Sequence, residues 1–167
     1  PNTMAGAARS VADLRPDLLT VHAAAGTAGI AAVAQALPET KVAAVTVLTS
    51  LSALDLSELG IIGSPEQAVM RWARLAVDAG ARAIVSSAHE VPTLRALLGS
   101  DPVLITPGIR PAGADVGDQS RVVTPADAIG AGASLLVVGR PVTAAQHPRA
   151  AAQAIAEEAV RALASVG

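Results

Sequence analysis

The sequence predicts a parallel α/β fold. Short apolar runs alternate with helical patterns along the whole chain. The apolar runs are continuous rather than interleaved with polar residues, as in strands covered on both faces. Capping and helix-stopping residues stand where the patterns change, with Ser or Thr followed by Pro at helix starts and Gly at helix ends.

The elements follow in order. Met4–Leu14 places Ala, Val and Leu at helical spacing, and Leu18–His22 reads as the first strand. Gly26 to Leu37 is a helix. The Val-rich run Val42–Thr49 is the next strand, entered from the turn-like Pro38-Glu39-Thr40. Pro65–Ala79 is an amphipathic helix with Ser64 as its N-cap, Pro65 in its first turn and Gly80 as its stop. Ala83–Ser86 is a short strand, Val91–Leu98 a helix and Val103–Thr106 a strand. Thr124 caps a helix that opens on Pro125, runs to Ala131 and stops at Gly132. Leu135–Val138 is the last strand, and the Ala-rich Pro148–Leu163 the last helix. Asp78-Ala79-Gly80-Ala81 and Gly130-Ala131-Gly132-Ala133 repeat one device, a helix end turning into a strand.

Five strands are legible in what reads as a single domain over residues 1–167. An eight-stranded (β/α) barrel needs three more, and a five-stranded open sheet is the alternative.

Composition narrows the function. Hydrophobic residues make up 51% of the 167, enough for a large core, and that core is aliphatic because Trp72 is the single aromatic. Platforms for stacking nucleic-acid bases are therefore missing, and a net charge of -2 gives no broad phosphate-binding surface. Without cysteine there is no thiolate chemistry, and His22, His89 and His147 do not share metal-ligand spacing. No apolar run reaches the length of a membrane span, and no signal peptide is visible. These features fit a soluble cytoplasmic protein.

In a parallel α/β fold ligands bind at the carboxyl ends of the strands. The polar residues there are His22, Thr49 with Ser50, Ser86 with Ser87, Arg110 and Arg140. Arg140 follows Gly139, whose N–H can meet a phosphate oxygen at close range while the guanidinium grips the anion in a bidentate way. Arg110 stands between Pro107-Gly108 and Pro111, either as a second phosphate ligand or as a loop arginine in solvent. Gln119 ends a small-residue loop that can fold over a ligand. Thr49 and Ser50 offer donors to a polar ring, or simply end a strand. Ser86 and Ser87 lack the setting of a nucleophile. No acid, base or nucleophile is evident, so the chain is either a binding module or one whose reactive groups lie before Pro1.

Six blocks, in order, resemble bacterial orotidine 5'-phosphate decarboxylase. They are Pro1-Asn2-Thr3, Thr20-Val21-His22-Ala23, Val45-Thr46-Val47-Leu48-Thr49-Ser50, Thr106-Pro107-Gly108-Ile109-Arg110-Pro111, Gly117-Asp118-Gln119, and Val138-Gly139-Arg140-Pro141-Val142. The resemblance implies a (β/α)8 TIM barrel of which this chain carries the last five strands. It also implies cofactor-free removal of CO2 from orotidine 5'-phosphate, giving uridine 5'-phosphate. It assigns the phosphate to Arg140 and the Gly139 amide, and phosphate and pyrimidine together to Gln119. Arg110 falls in the phosphate-closing loop, and Thr49, with Ser50 beside it, at the pyrimidine. It further implies a homodimer in which Thr3 reaches the partner's ligand. The family's Asp-x-Lys-x-x-Asp motif would directly precede Ile-Pro-Asn-Thr, so the expectation is a binding half, inactive alone and poorly soluble with its sheet edges open. The rival readings are another phosphate-binding barrel, such as a sugar-phosphate decarboxylase or aldolase, and a non-catalytic phosphate-binding chain.

Overall fold

A computed structural model describes residues 1–111 and 123–166. Helix α1 (Asn2–Ser10) leads through a tight turn at Ala12–Leu14 into β1 (Leu18–His22). Then come α2 (Gly26–Ala36), β2 (Lys41–Val45), α3 (Ala53–Glu58), α4 (Pro65–Asp78) and β3 (Ala83–Val85). The chain continues through α5 (Val91–Leu98), β4 (Val103–Thr106), α6 (Pro125–Gly130), β5 (Leu135–Leu136), α7 (Arg140–Thr143) and α8 (Pro148–Val166).

The five strands form one parallel sheet in the order β1-β2-β3-β4-β5. That order decides between the two architectures the sequence left open. A doubly wound sheet reverses its strand order part-way, whereas here each strand lies beside its predecessor and the winding never changes sense. Such a sheet is an arc of a barrel.

The packing agrees with an arc. Val42, Ala44, Ile84 and Leu104 point into the large core shared with Ile30 and Val33 of α2, Val69 and Ala73 of α4, and Leu94 of α5. The intervening positions Ala43, Ala83 and Ile105 form a separate cluster with Leu18, Val85 and Val103. Successive strand residues face opposite sides, so the first set meets the helices and the second forms the inner layer. Trp72 packs at the margin of the larger cluster rather than in a site.

The capping devices take the expected forms. The Ser64 hydroxyl accepts from the Gln67 N–H and the Gln67 side chain accepts from the Ser64 N–H, a reciprocal box with Pro65 in the first turn. Thr124 accepts from the Asp127 N–H. At the far ends, Gly80 (φ 99°) and Gly132 (φ 101°) reverse the chain with identical bond patterns. Gly80 N–H donates to Val77 and Ala81 N–H to Ala76, while Gly132 N–H donates to Ile129 and Ala133 N–H to Ala128.

Several boundaries differ from expectation. The strand expected over Val42–Thr49 stops at Val45, because its partner β3 stops at Val85. The strand expected to run to Val138 stops at Leu136, and that expected at Ala83–Ser86 stops one residue early. The first helix ends at Ser10 rather than Leu14, where the chain tightens and Arg15 takes a left-handed conformation. Helices α3 and α7 are additions to the expected set, and α8 runs to Val166.

Arginines tie together the amino-terminal side of the sheet. Arg82 donates to the carbonyls of Pro38 and Thr40, and the Thr40 hydroxyl donates to Pro16. Arg95 donates to the carbonyls of Gly99, Ser100, Pro102 and Gly132 and to the Ser134 hydroxyl. With that side fastened, the opposite ends of the strands are left to carry ligand-facing residues. Among the described residues, no helix is long and apolar enough to cross a membrane.

Candidate functional site

A cleft of about 340 Å³ opens at the carboxyl ends of β2 to β5. Its lining comes from four successive strand ends. Val45, Val47, Leu48 and Thr49 follow β2, Val85 and Ser86 close β3, Pro107, Gly108 and Arg110 follow β4, and Val137, Gly139 and Arg140 follow β5.

The β2 limb is built by a change of direction at Thr46. Both its N–H (3.2 Å) and its hydroxyl (2.8 Å) donate to the Val85 carbonyl. Past this link the chain leaves the sheet, and Leu51 N–H closes a turn on the Leu48 carbonyl. A capping box then starts α3, with Ser52 and Asp55 exchanging bonds. Thr49 is thereby left 9% exposed at the cleft, while Ser50 points to solvent and does not line it.

On the β4 limb Gly108 adopts a left-handed φ of 77°, a conformation that favours glycine. The Arg110 N–H donates to the Val123 carbonyl and the Val123 N–H to the Gly108 carbonyl, so the chain on either side of residues 112–122 is joined at the cleft rim. Arg110 is 8% exposed, and its guanidinium donates to the Ile109 carbonyl at 2.8 Å. It is a buried arginine, which removes the solvent-loop alternative.

On the β5 limb Gly139 and Arg140 are exposed, and Gly139 is the N-cap of α7. Among the described residues, a Cβ built on Gly139 would meet no atom within 4 Å beyond its chain neighbours. The polar side of the cleft therefore runs from a buried arginine to an open one.

The cleft brings together Thr49, Arg110, Gly139 and Arg140 of the expected residues. Thr3 does not line it; it is exposed in the first turn of α1, which packs on α2. Gln119 lies outside the described residues. His22 and His89 are exposed and do not line the cleft. The apolar wall of Val45, Val47, Leu48, Val85 and Val137 was not anticipated; Val45 and Val85 are the paired last residues of β2 and β3, and Val47, Leu48 and Val137 follow β2 and β5. Ser86 also lines the cleft; its buried hydroxyl meets no partner among the described residues.

Among the described residues, the lining contains no carboxylate, lysine or histidine. The chain's one lysine, Lys41, begins β2 and so stands at the opposite end of the sheet. A cleft with two arginines, hydroxyls and an apolar wall suits an anion carrying a flat, partly apolar body. Its described lining offers no carboxylate, lysine or imidazole to give or take a proton.

The Orotidine 5'-phosphate decarboxylase / HUMPS family profile matches residues 1–155. The chain is 58% identical over 158 residues to "Orotidine 5'-phosphate decarboxylase" of Thermobifida fusca, covering 95% of this chain and 68% of that protein. The same identity holds over 157 residues with the protein of that name from Anaeromyxobacter sp. (strain K), over 93% of this chain and 69% of the relative. The crystal structure of orotidine 5'-phosphate decarboxylase from Lactobacillus acidophilus superposes with a TM-score of 0.83 at 35% identity, covering 95% of this chain and 70% of that one. With the profile spanning nearly the whole chain, and a singly wound sheet carrying its cleft at the strand ends, this protein belongs to the orotidine 5'-phosphate decarboxylase / HUMPS family.

Proposed function

We propose that this chain supplies the phosphate- and pyrimidine-binding part of an orotidine 5'-phosphate decarboxylase, which releases CO2 from its substrate to leave uridine 5'-phosphate. The observation that carries this reading is the single cleft shared by Thr49, Arg110, Gly139 and Arg140. In it, the Arg140 guanidinium and the Gly139 N–H hold the 5'-phosphate. Arg110 supports the same anion from the neighbouring strand, and its burial limits the entropy lost on binding. Thr49, rather than the exposed Ser50, faces the pyrimidine, with Val45 and Val85 against the ring. Gln119 closes over phosphate and base. Thr3 serves the partner's cleft in a homodimer, and the protein works in the cytoplasm.

The chemistry follows from a division of labour. Contacts at a phosphate remote from the breaking bond stabilise the closed state and the transition state at the ring. The described cleft supplies those contacts, and the charged groups that act at the ring come from outside the residues lining it. The 167-residue chain by itself is accordingly expected to bind and not to turn over. The test is Arg140→Ala in the whole enzyme, assayed at subsaturating substrate. A fall in kcat/KM of about 100-fold or more is expected for loss of such a clamp, and a wild-type value would sink the assignment. Turnover by the purified 167-residue chain would refute its role as a binding part.

A further inference from the structure

We infer that Thr46 is a positioning residue for the base-binding end of the cleft, a role that rests on the nucleotide reading above. Thr46 is 1% exposed and does not line the cleft. It links the β2 and β3 parts of the cleft's apolar wall, because its N–H and its hydroxyl both donate to the carbonyl of Val85. A carbonyl oxygen has two lone pairs, and here one residue fills both.

The sheet bond from the Thr46 N–H alone would end the ladder. The hydroxyl bond adds a second constraint, holding the Thr46 side chain and the strand exit in one orientation. The next three residues, Val47, Leu48 and Thr49, all line the cleft. Their placement depends on the angle at which the chain leaves β2. Val85, the acceptor, lines the cleft itself, on the neighbouring strand β3. The direction in which the Thr49 limb leaves β2 is thus held through one residue that does not line the cleft. Gly139 and Arg140 follow β5, two strands beyond β3 in the sheet.

The separation gives the role a signature. Thr46→Val keeps volume and branching, and leaves the Val85 carbonyl one donor, so no buried acceptor is orphaned and the fold should survive. Thr46→Ser retains the hydroxyl. Binding of uridine 5'-phosphate and of inorganic phosphate is measured for wild type and both variants of the whole protein, with thermal melting alongside. In Thr46→Val, the nucleotide is expected to bind about five-fold more weakly, the equivalent of one hydrogen bond of about 1 kcal/mol, while phosphate affinity stays within two-fold of wild type (roughly a 0.4 kcal/mol margin). Thr46→Ser is expected to recover most of the nucleotide affinity. Unchanged nucleotide binding in Thr46→Val overturns the inference alone, as does an equal loss for nucleotide and phosphate, which is the mark of general loosening. Wild-type protein that holds phosphate but not the nucleotide overturns the nucleotide reading and this inference with it.

Discussion

Arg95 donates to the Ser134 hydroxyl at 2.6 Å, and the same hydroxyl accepts from the Leu104 N–H. One arginine on α5 is thereby joined to the entry of β5 and, through a single oxygen, to β4. Its other donors reach the carbonyls of Gly99, Ser100, Pro102 and Gly132. Arg95→Ala is expected to lower stability by about 2–3 kcal/mol, the usual scale for losing hydrogen bonds to a charged group. Urea denaturation measures it. Because the linkage lies across the sheet from the cleft, ligand affinity at temperatures where the fold is intact should stay at the wild-type value.

Gly139→Ala separates folding from binding. Among the described residues the added methyl would meet no atom within 4 Å beyond its chain neighbours, so melting temperature should scarcely move. The same methyl would stand where the phosphate approaches the amide. Phosphate affinity should fall by about ten-fold, roughly the 1.4 kcal/mol of one charge-assisted bond. Calorimetric titration with phosphate checks this, and unaltered affinity would remove Gly139 from the site.

Gly80→Ala should act in the opposite way, on stability alone. Gly80 sits at φ 99° with the Ala34 Cβ 3.4 Å from where its own Cβ would be. A side chain there is expected to cost about 1–2 kcal/mol, read from denaturant midpoints.

Asp55 gives a pH test. Its carboxyl is held below the usual carboxylate range, first by the Ser52 hydroxyl and then by the Ser52 N–H. A carboxylate whose folded value is lowered stabilises above the unfolded value, about pH 4, and that contribution is lost as pH falls through the lower folded value. The α3 cap should therefore be intact at neutral pH and weaken only in acid. NMR titration of the Asp55 carboxyl should give a midpoint below that of a free aspartate, and Ser52→Ala should raise it.

Much of this fold was legible because local chemistry and tertiary structure agree. Ser64-Pro65 and Thr124-Pro125 start helices for reasons contained in the residues themselves, and the Gly80 and Gly132 turns repeat one bond pattern. Strand ends were less legible because a strand needs a partner. Val45-Thr46-Val47-Leu48 continues an apolar run, yet the sheet ends at Val45 because β3 does. Helix α3 is short and its Ser52–Asp55 box lies in an apolar stretch, so no long periodic face announces it. At the site, the arginines and Thr49 could be read from their place after strands. The valine wall could not, since its residues differ from core valines only in standing at the strand ends or just after them, which depends on where the sheet stops. Gln119 falls outside the described residues.

The sequential strand order has a metric consequence. Neighbouring strands stand about 4.8 Å apart, and Thr49 and Arg140 follow strands three steps apart in the same sheet. The rim therefore behaves as a ruler graduated in strands, with about 14 Å between its hydroxyl mark and its cation mark before curvature is counted. A ligand with its anionic end and its ring at the right separation is gauged by the sheet itself. Loop residues can alter what stands at each mark, but the spacing between marks belongs to the backbone ladder.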